Sequence, residues 1–383
     1  MNSELDPPPL ALYVHIPWCE RKCPYCDFNS HEGFKPDLEP VYVAALLADI
    51  EAQEQWIDSR PIASIFIGGG TPSLFSADAI GKLLDGVARV AHLPAGTEIT
   101  LETNPGSAEA SRYIGYRAAG VNRLSIGVQS FDDKQLTRLG RIHTASNARL
   151  ATELARSAGF DRFNIDLMHG LPNQSVESAL DDLNQALACG GDHLSWYQLT
   201  IERNTEFFKR PPILPQEKAL GDIQERGEAL LLGQGFEQYE VSAFARPGQQ
   251  CHHNLNYWQF GDYLGVGAGA HGKITDSTGI LRTQRTRLPR DYLQSIKDQA
   301  PPKQTRVAAS DLAGEFMMNA LRLRQGFSTD LLLQRTGLGT GSVNETLRSL
   351  ESKGLIAIGD SNISATALGW RFLDDVVGEF FDA

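Results

Sequence analysis

The chain has 383 residues, 42% of them hydrophobic and 21% charged, an ordinary globular balance with room for one large domain and one small one. Its formal charge of -12 argues against a nucleic-acid phosphate backbone as the main partner, and no run of about eighteen apolar residues is present to form a transmembrane segment. Five cysteines, an odd number, follow a start, M-N-S-E-L-D-P-P-P, that lacks the basic and apolar parts of a signal peptide; both features suit a reducing, cytoplasmic setting, with peripheral contact at a membrane left open.

Residues 1–9 read as a loose N-terminal tail. The first β-rich run, L-Y-V-H-I (12–16), leads into Y-V-H-I-P-W-C-E-R-K-C-P-Y-C-D-F-N-S, which sets Cys19, Cys23 and Cys26 in a C-x3-C-x2-C array. This spacing is the signature of a radical S-adenosylmethionine (SAM) iron-sulfur site. Three thiolates hold three irons of a [4Fe-4S] cube and leave the fourth iron to the amino and carboxylate groups of SAM. A zinc site fits poorly, because a closed tetrahedron needs a fourth ligand and no second C-x2-C pair exists.

Further β-rich runs follow at 64–68, 98–102, 123–129, 162–168 and 193–199. Helix-patterned stretches, with apolar residues at i, i+3, i+4 and i+7, lie between them at 41–52, 80–91 and 148–159. Strand, helix, strand at this pitch predicts βαβ units and a parallel sheet. Six units are too few for a closed eight-stranded barrel, so the expected fold is α/β: an open, partial TIM-like radical SAM barrel over residues 10–245, with its site at the carboxyl ends of the strands. Gly68-Gly69-Gly70-Thr71-Pro72 follows one strand, Glu102 and Gln129 end two others, and Asp166 lies late in a fourth. A glycine-rich strand end admits the amino-acid part of SAM, Glu102, Gln129 and Asp166 suit its ammonium and ribose hydroxyls, and Arg141 suits an anionic group. Singly, each has a plain alternative as a βα turn, a cap or a surface ion pair, and Tyr13 and Tyr25 have one as core aromatics.

Residues 246–300 read as a connecting segment. It holds His253-Asn254-Leu255-Asn256-Tyr257-Trp258 and a glycine-rich run, G-V-G-A-G-A-H-G (265–272), expected to be a tight turn near the site. His253 can offer an imidazole nitrogen to haem iron, Asn254 can orient the ring, and Tyr257 and Trp258 offer flat surface to a porphyrin. His252 and Cys251 are rival ligands, although a buried inert thiol is the default for Cys251 and Cys189. Beyond Pro301-Pro302, helical patterns at 310–324, 328–335 and 341–353 precede a short β run, an order that predicts a winged-helix-like α+β domain over 301–383. That domain carries 8 Lys and Arg against 10 Asp and Glu, which favours docking or packing over DNA binding.

Y-V-H-I-P-W-C-E-R-K-C-P-Y-C-D-F, I-G-G-G-T-P, G-V-Q-S-F, L-G-R-I-H and D-L-M-H-G-L-P together resemble the radical SAM family of the oxygen-independent coproporphyrinogen III dehydrogenase HemN and its relative, the haem chaperone HemW. The resemblance runs from Leu12 into the C-terminal domain. It implies Cys19, Cys23 and Cys26 for the cluster, and Tyr13, Gly69, Gly70, Thr71, Glu102, Gln129, Arg141 and Asp166 around SAM. Two features favour the chaperone branch: Phe28 stands where the dehydrogenase pattern has a fourth cysteine, and residues 253–258 match the H-N-x-x-Y-W haem motif with His253 as axial ligand. The resemblance then implies a chaperone that binds haem, a [4Fe-4S] cluster and SAM and passes haem to acceptor proteins, respiratory enzymes at the membrane among them. Adenosyl-radical decarboxylation of coproporphyrinogen is the enzymatic alternative and is not expected. A homodimer stays open.

Overall fold

The computed structural model describes residues 7–57, 60–106 and 111–381; most of the expected N-terminal tail lies outside them. Fifteen strands are present among these residues: β1 (Leu10–Ile16), β2 (Ile62–Gly69), β3 (Glu98–Thr103), β4 (Arg123–Gln129), β5 (Phe163–His169), β6 (His193–Gln198), β7 (Glu237–Glu240), β8 (Ala243–Ala245), β9 (Asp262–Val266), β10 (His271–Asp276), β11 (Gly279–Gln284), β12 (Lys303–Arg306), β13 (Phe327–Ser328), β14 (Ile356–Ile358) and β15 (Asn362–Ala365). Twelve of them form one sheet in the order β12-β11-β10-β9-β1-β2-β3-β4-β5-β6-β8-β7. The seven strands from β9 through β6 run parallel, and antiparallel strands extend the sheet on both sides. The edge strands β12 and β7 do not meet, so the barrel is open, as the unit count predicts.

β1 shows why these segments become strands. Six of the seven residues of L-A-L-Y-V-H-I are buried, the pattern of a parallel strand covered on both faces, and Tyr13 is the partial exception. Helix Ala77–Val90 covers the sheet with Ile80, Leu83, Leu84 and Val87 on one face, and Ser76 caps it by accepting from Ala79 N–H at 3.2 Å. Helix Val176–Cys189 begins with a capping box from Ser175 and Ser178 and stops at Gly190, whose φ of 71° is the left-handed conformation that glycine adopts without strain.

All six sequence-predicted strands are present. The seventh parallel strand, β9, lies in the segment read as a connection. It pairs with β1 from Leu10↔Asp262 to Val14↔Val266, and so places β1, the strand leading into the cysteines, in the middle of the sheet. The segment also contributes β10 and β11, and β12 joins the same sheet directly after Pro301-Pro302.

The C-terminal part is α+β, with helices Leu312–Ala320, Thr329–Thr336 and Asn344–Ser352 and a three-stranded antiparallel sheet β13-β15-β14, the winged-helix-like order expected. Phe316, Phe327, Leu332, Leu350, Ile363, Val376 and Phe380 form its core, and Phe260 and Ile280 from the sheet-bearing part enter the same core. Arg322 over Trp258 (4.4 Å to the ring centroid) and Arg335 Nε donating to Gln259 O (3.2 Å) add polar contacts across the join.

Candidate functional site

The cysteine loop leaves the carboxyl end of β1. A bridge between Trp18 and His31 closes its base: Cys19 N–H donates to His31 O (2.9 Å) and His31 N–H to Pro17 O (2.7 Å). Lys22 Nζ reaches across the loop to Phe28 O (3.0 Å) and Ser30 O (3.2 Å). Cys19, Cys23 and Cys26 are partly exposed free thiols, whereas Cys189 and Cys251 are buried. Burial pushes the Cys19 and Cys26 thiols up, a cost that binding to iron would offset, since the ligand is the thiolate. Among the described residues no three His, Cys, Asp or Glu side chains converge as ligands of a single ion. A cubane asks something different, one thiolate at each of three separate corners.

The neighbouring strand ends lock onto this loop. Gly70 N–H donates to Ile16 O (2.8 Å) and Thr71 N–H to Trp18 O (2.7 Å). A Cβ on Gly70 would lie 2.5 Å from the Trp18 carbonyl oxygen, so only glycine permits this approach. Gly69, at φ +117°, donates its N–H to Glu102 Oε2 (3.0 Å). Burial and the charge of Asp166 push the Glu102 carboxyl up to about 7. Asp166, also raised by burial, accepts from Ser125 Oγ (3.0 Å) and Asn164 Nδ2 (2.7 Å). Gln129 takes a left-handed φ of 70° where the register shifts between β4 and β5, and its Oε1 accepts from Tyr197 Oη (2.7 Å). For a residue that is not glycine this is strain of the kind found at binding sites.

Arg141 connects the two halves of the site. Its guanidinium donates to Asn104 Oδ1 (2.6 Å), Gly127 O (2.7 Å) and Cys23 Sγ (3.6 Å), and Asn104 Nδ2 donates on to Thr71 Oγ1 (3.0 Å). None of these partners is a carboxylate, so the cation keeps its charge for an incoming anion. Tyr25, within the loop, packs toward Phe207 with ring centroids 6.4 Å apart. Asn104 and Tyr197 are site residues that the sequence reading missed; a lone Asn after a strand and a Tyr within one carry no local signal.

A cavity of about 620 Å³ opens beside these groups. Tyr13, Gly69 and Glu102 line one part of it and Tyr257, Trp258 and Tyr263 another, while Phe28, 63% exposed, also lines it. Trp258 Nε1 is buried without a hydrogen-bond partner among the described residues. The short helix His252–Trp258 therefore presents two motif aromatics to the cavity.

His253 itself lies beneath them and is 1% exposed. Its Nδ1 bonds Ser64 Oγ (2.9 Å), its Nε2 bonds Tyr257 Oη (3.0 Å), and its ring stacks on Phe66 with centroids 5.1 Å apart. Burial lowers its pKa to about 3, so it is neutral. Ser64 and Tyr257 orient the ring, the role expected of Asn254. Cys251 is buried against Glu98 Oε1 (3.4 Å) and burial pushes its thiol up to about 12, which removes it as a ready thiolate ligand. Within the glycine run 265–272, residues 267–270 turn from β9 into β10: Gly269 and His271 reach the cavity lining, as do Gln284 and Arg287 from the end of β11 and just beyond it.

The comparisons with known proteins agree with this architecture. Residues 13–186 match the radical SAM superfamily and residues 307–372 the HemN C-terminal domain. The heme chaperone HemW of Escherichia coli strain K12 is 49% identical over 376 residues, covering 97% of this chain and 98% of that protein. This chain belongs to the HemW family. Haemophilus influenzae HemW is 47% identical over 97% of the chain and 98% of its own length, and a bovine mitochondrial radical S-adenosyl methionine domain-containing protein 1 is 36% identical over 96% and 86%. Among solved structures, Escherichia coli coproporphyrinogen III oxidase HemN superposes with a TM-score of 0.82 at 24% identity over 98% of this chain and 90% of its own, a likeness that establishes the fold. No described helix is long and apolar enough to cross a membrane.

Proposed function

We propose that this chain is a haem chaperone that carries one [4Fe-4S] cluster on Cys19, Cys23 and Cys26, binds SAM beside it, and passes haem to acceptor proteins. The observation that carries the reading is one cavity bounded on one side by Tyr13, Gly69 and Glu102 and on the other by the motif aromatics Tyr257 and Trp258. Full-length relatives named as haem chaperones support the same reading. The SAM cradle is assigned to Tyr13, Tyr25, Gly69, Gly70, Thr71, Glu102, Gln129, Arg141 and Asp166. When bound, the cluster supplies an electron and SAM a sulfonium whose bond to the adenosyl carbon that electron can break. The protein's part is to present an acceptor at Glu102 to the SAM ammonium, to keep Arg141 charged for its carboxylate, and to hold the loop that fixes the thiols. A cytoplasmic setting with transfer to haem enzymes at the membrane completes the proposal.

Anaerobic reconstitution followed by titration with ferric haem, alongside an assay for coproporphyrinogen decarboxylation with SAM and a reductant, tests it. One haem per chain without decarboxylation is expected. Decarboxylation without haem binding would make the chain a dehydrogenase.

A further inference from the structure

We propose that His271, not His253, presents the imidazole nitrogen that ligates haem iron in this cavity, and that Arg287 pairs with a haem propionate. The inference rests on the chaperone reading above and assigns its iron ligand. As the structure stands, His253 cannot reach an iron. It is 1% exposed, both ring nitrogens are bonded, and the hydroxyl of Tyr257 occupies Nε2. Freeing it would break a buried hydrogen bond and swing aside an aromatic ring that lines the cavity.

His271 has the opposite character. It opens β10, is exposed, and lines the cavity. Its Nε2 touches only the Gln284 amide (3.2 Å) from the facing residue of β11, and its Nδ1 has no hydrogen-bond partner among the described residues. Partial burial of the ring, with the cations Arg282 and Arg287 nearby, lowers its pKa, the direction that favours the neutral, metal-binding imidazole. Exchanging a surface amide contact for iron costs little.

Two arginines stand near His271, and they differ. Arg282 is neutralised by Glu315 and donates to Tyr263 Oη (3.0 Å). Arg287 lines the cavity and is exposed, and its guanidinium makes only a 3.5 Å contact with Asn29 Oδ1. Among the described residues it has no carboxylate partner, which leaves a planar cation for a carboxylate. A porphyrin with its iron on His271 would have Tyr257 and Trp258 as flat neighbours. His253 then acts as a positioning residue: bonded to Ser64 and Tyr257, it fixes the wall on which the porphyrin lies.

The test uses the full, cluster-loaded chain titrated with ferric protoporphyrin IX, followed by its Soret band and by electron paramagnetic resonance. His271→Ala is expected to lose the nitrogen-ligated signature and to bind haem at least about tenfold more weakly, and free imidazole should restore the signature in His271→Gly. His253→Gln should bind more weakly yet keep the wild-type iron signature. Haem dimethyl ester should bind the wild type about tenfold more weakly than haem, a difference that Arg287→Gln abolishes. Wild-type binding with an unchanged His271→Ala spectrum, or loss of the signature in His253→Gln with imidazole unable to rescue His271→Gly, overturns this assignment alone. A wild type that takes up no haem overturns the chaperone reading beneath it.

Discussion

Consider the exchange Glu102→Gln, which keeps an acceptor for Gly69 N–H and removes only the ability to ionise. In the folded chain the carboxyl sits at about 7, against an ordinary value of 4.5, because burial and Asp166 oppose its charge. The folded protein therefore holds a proton that the unfolded chain releases. The stability this contributes is complete below pH 4.5 and is lost as the pH rises through 7. At 1.36 kcal/mol per pH unit the loss reaches about 3 kcal/mol at alkaline pH. Glutamine never ionises, so the variant escapes it. Urea unfolding of the cluster-free protein at pH 5 and pH 8 should show the variant gaining up to about 3 kcal/mol on the wild type between the two. SAM affinity should move the other way. A charged acceptor for the ammonium becomes a neutral one, and calorimetric titration of the reconstituted protein at pH 8 should read about tenfold weaker binding. A stability gap that does not change with pH would refute the buried-carboxyl argument, and unchanged SAM affinity would remove Glu102 from the cradle.

Gly70→Ala should destabilise the chain by about 1–3 kcal/mol and lower iron loading, because the new methyl meets the Trp18 carbonyl in the backbone that leads into the cysteines. Urea midpoints and iron content check it, and wild-type values for both would show that the loop yields without cost. The buried neutral histidines set the acid limb of stability: burial holds His169 at about 4 and His253 at about 3, while in the unfolded chain both protonate near 6.5. The stability they contribute is present above 6.5 and is lost as the pH falls toward those values. His169 Nδ1 has no partner, so His169→Leu should make the loss between pH 7 and pH 5 shallower by about 2 kcal/mol. An identical acid slope in the two proteins would contradict this.

What could be read from the sequence was what local pattern encodes. The C-x3-C-x2-C loop, the six alternating strands and the polar residues at their ends follow from spacing and periodicity, and in the structure Gly70 and Thr71 bond the backbone leading into the cysteines while Arg141 reaches Cys23. β9 was not legible. D-Y-L-G-V is short and runs into a glycine-rich turn, and its reason to be a strand is the edge of β1, some 250 residues earlier in the chain. The burial of His253 was hidden for the same reason, since Ser64, which holds its Nδ1, comes from β2. A motif names residue types, but which of them faces a cavity depends on what folds over it.

The position of β1 between β2 and β9 also bears on the order of events during synthesis. β1 is made first, yet one of its edges stays without a partner until residue 266 has been added, about 250 residues later and on the order of 10–50 s at ordinary translation speed. The clasp on the cysteine loop arrives later still, because Asn29 Nδ2 is held by the carbonyls of Ala268 and Arg287, both at 2.9 Å. Through most of its time on the ribosome the chain thus has its three cysteines on an unfinished strand. The framework around the cysteine loop is completed only by the last third of the sequence, so on the proposed function a cluster would find its full seat only then, and a chain stalled before that point carries all three cysteines without it.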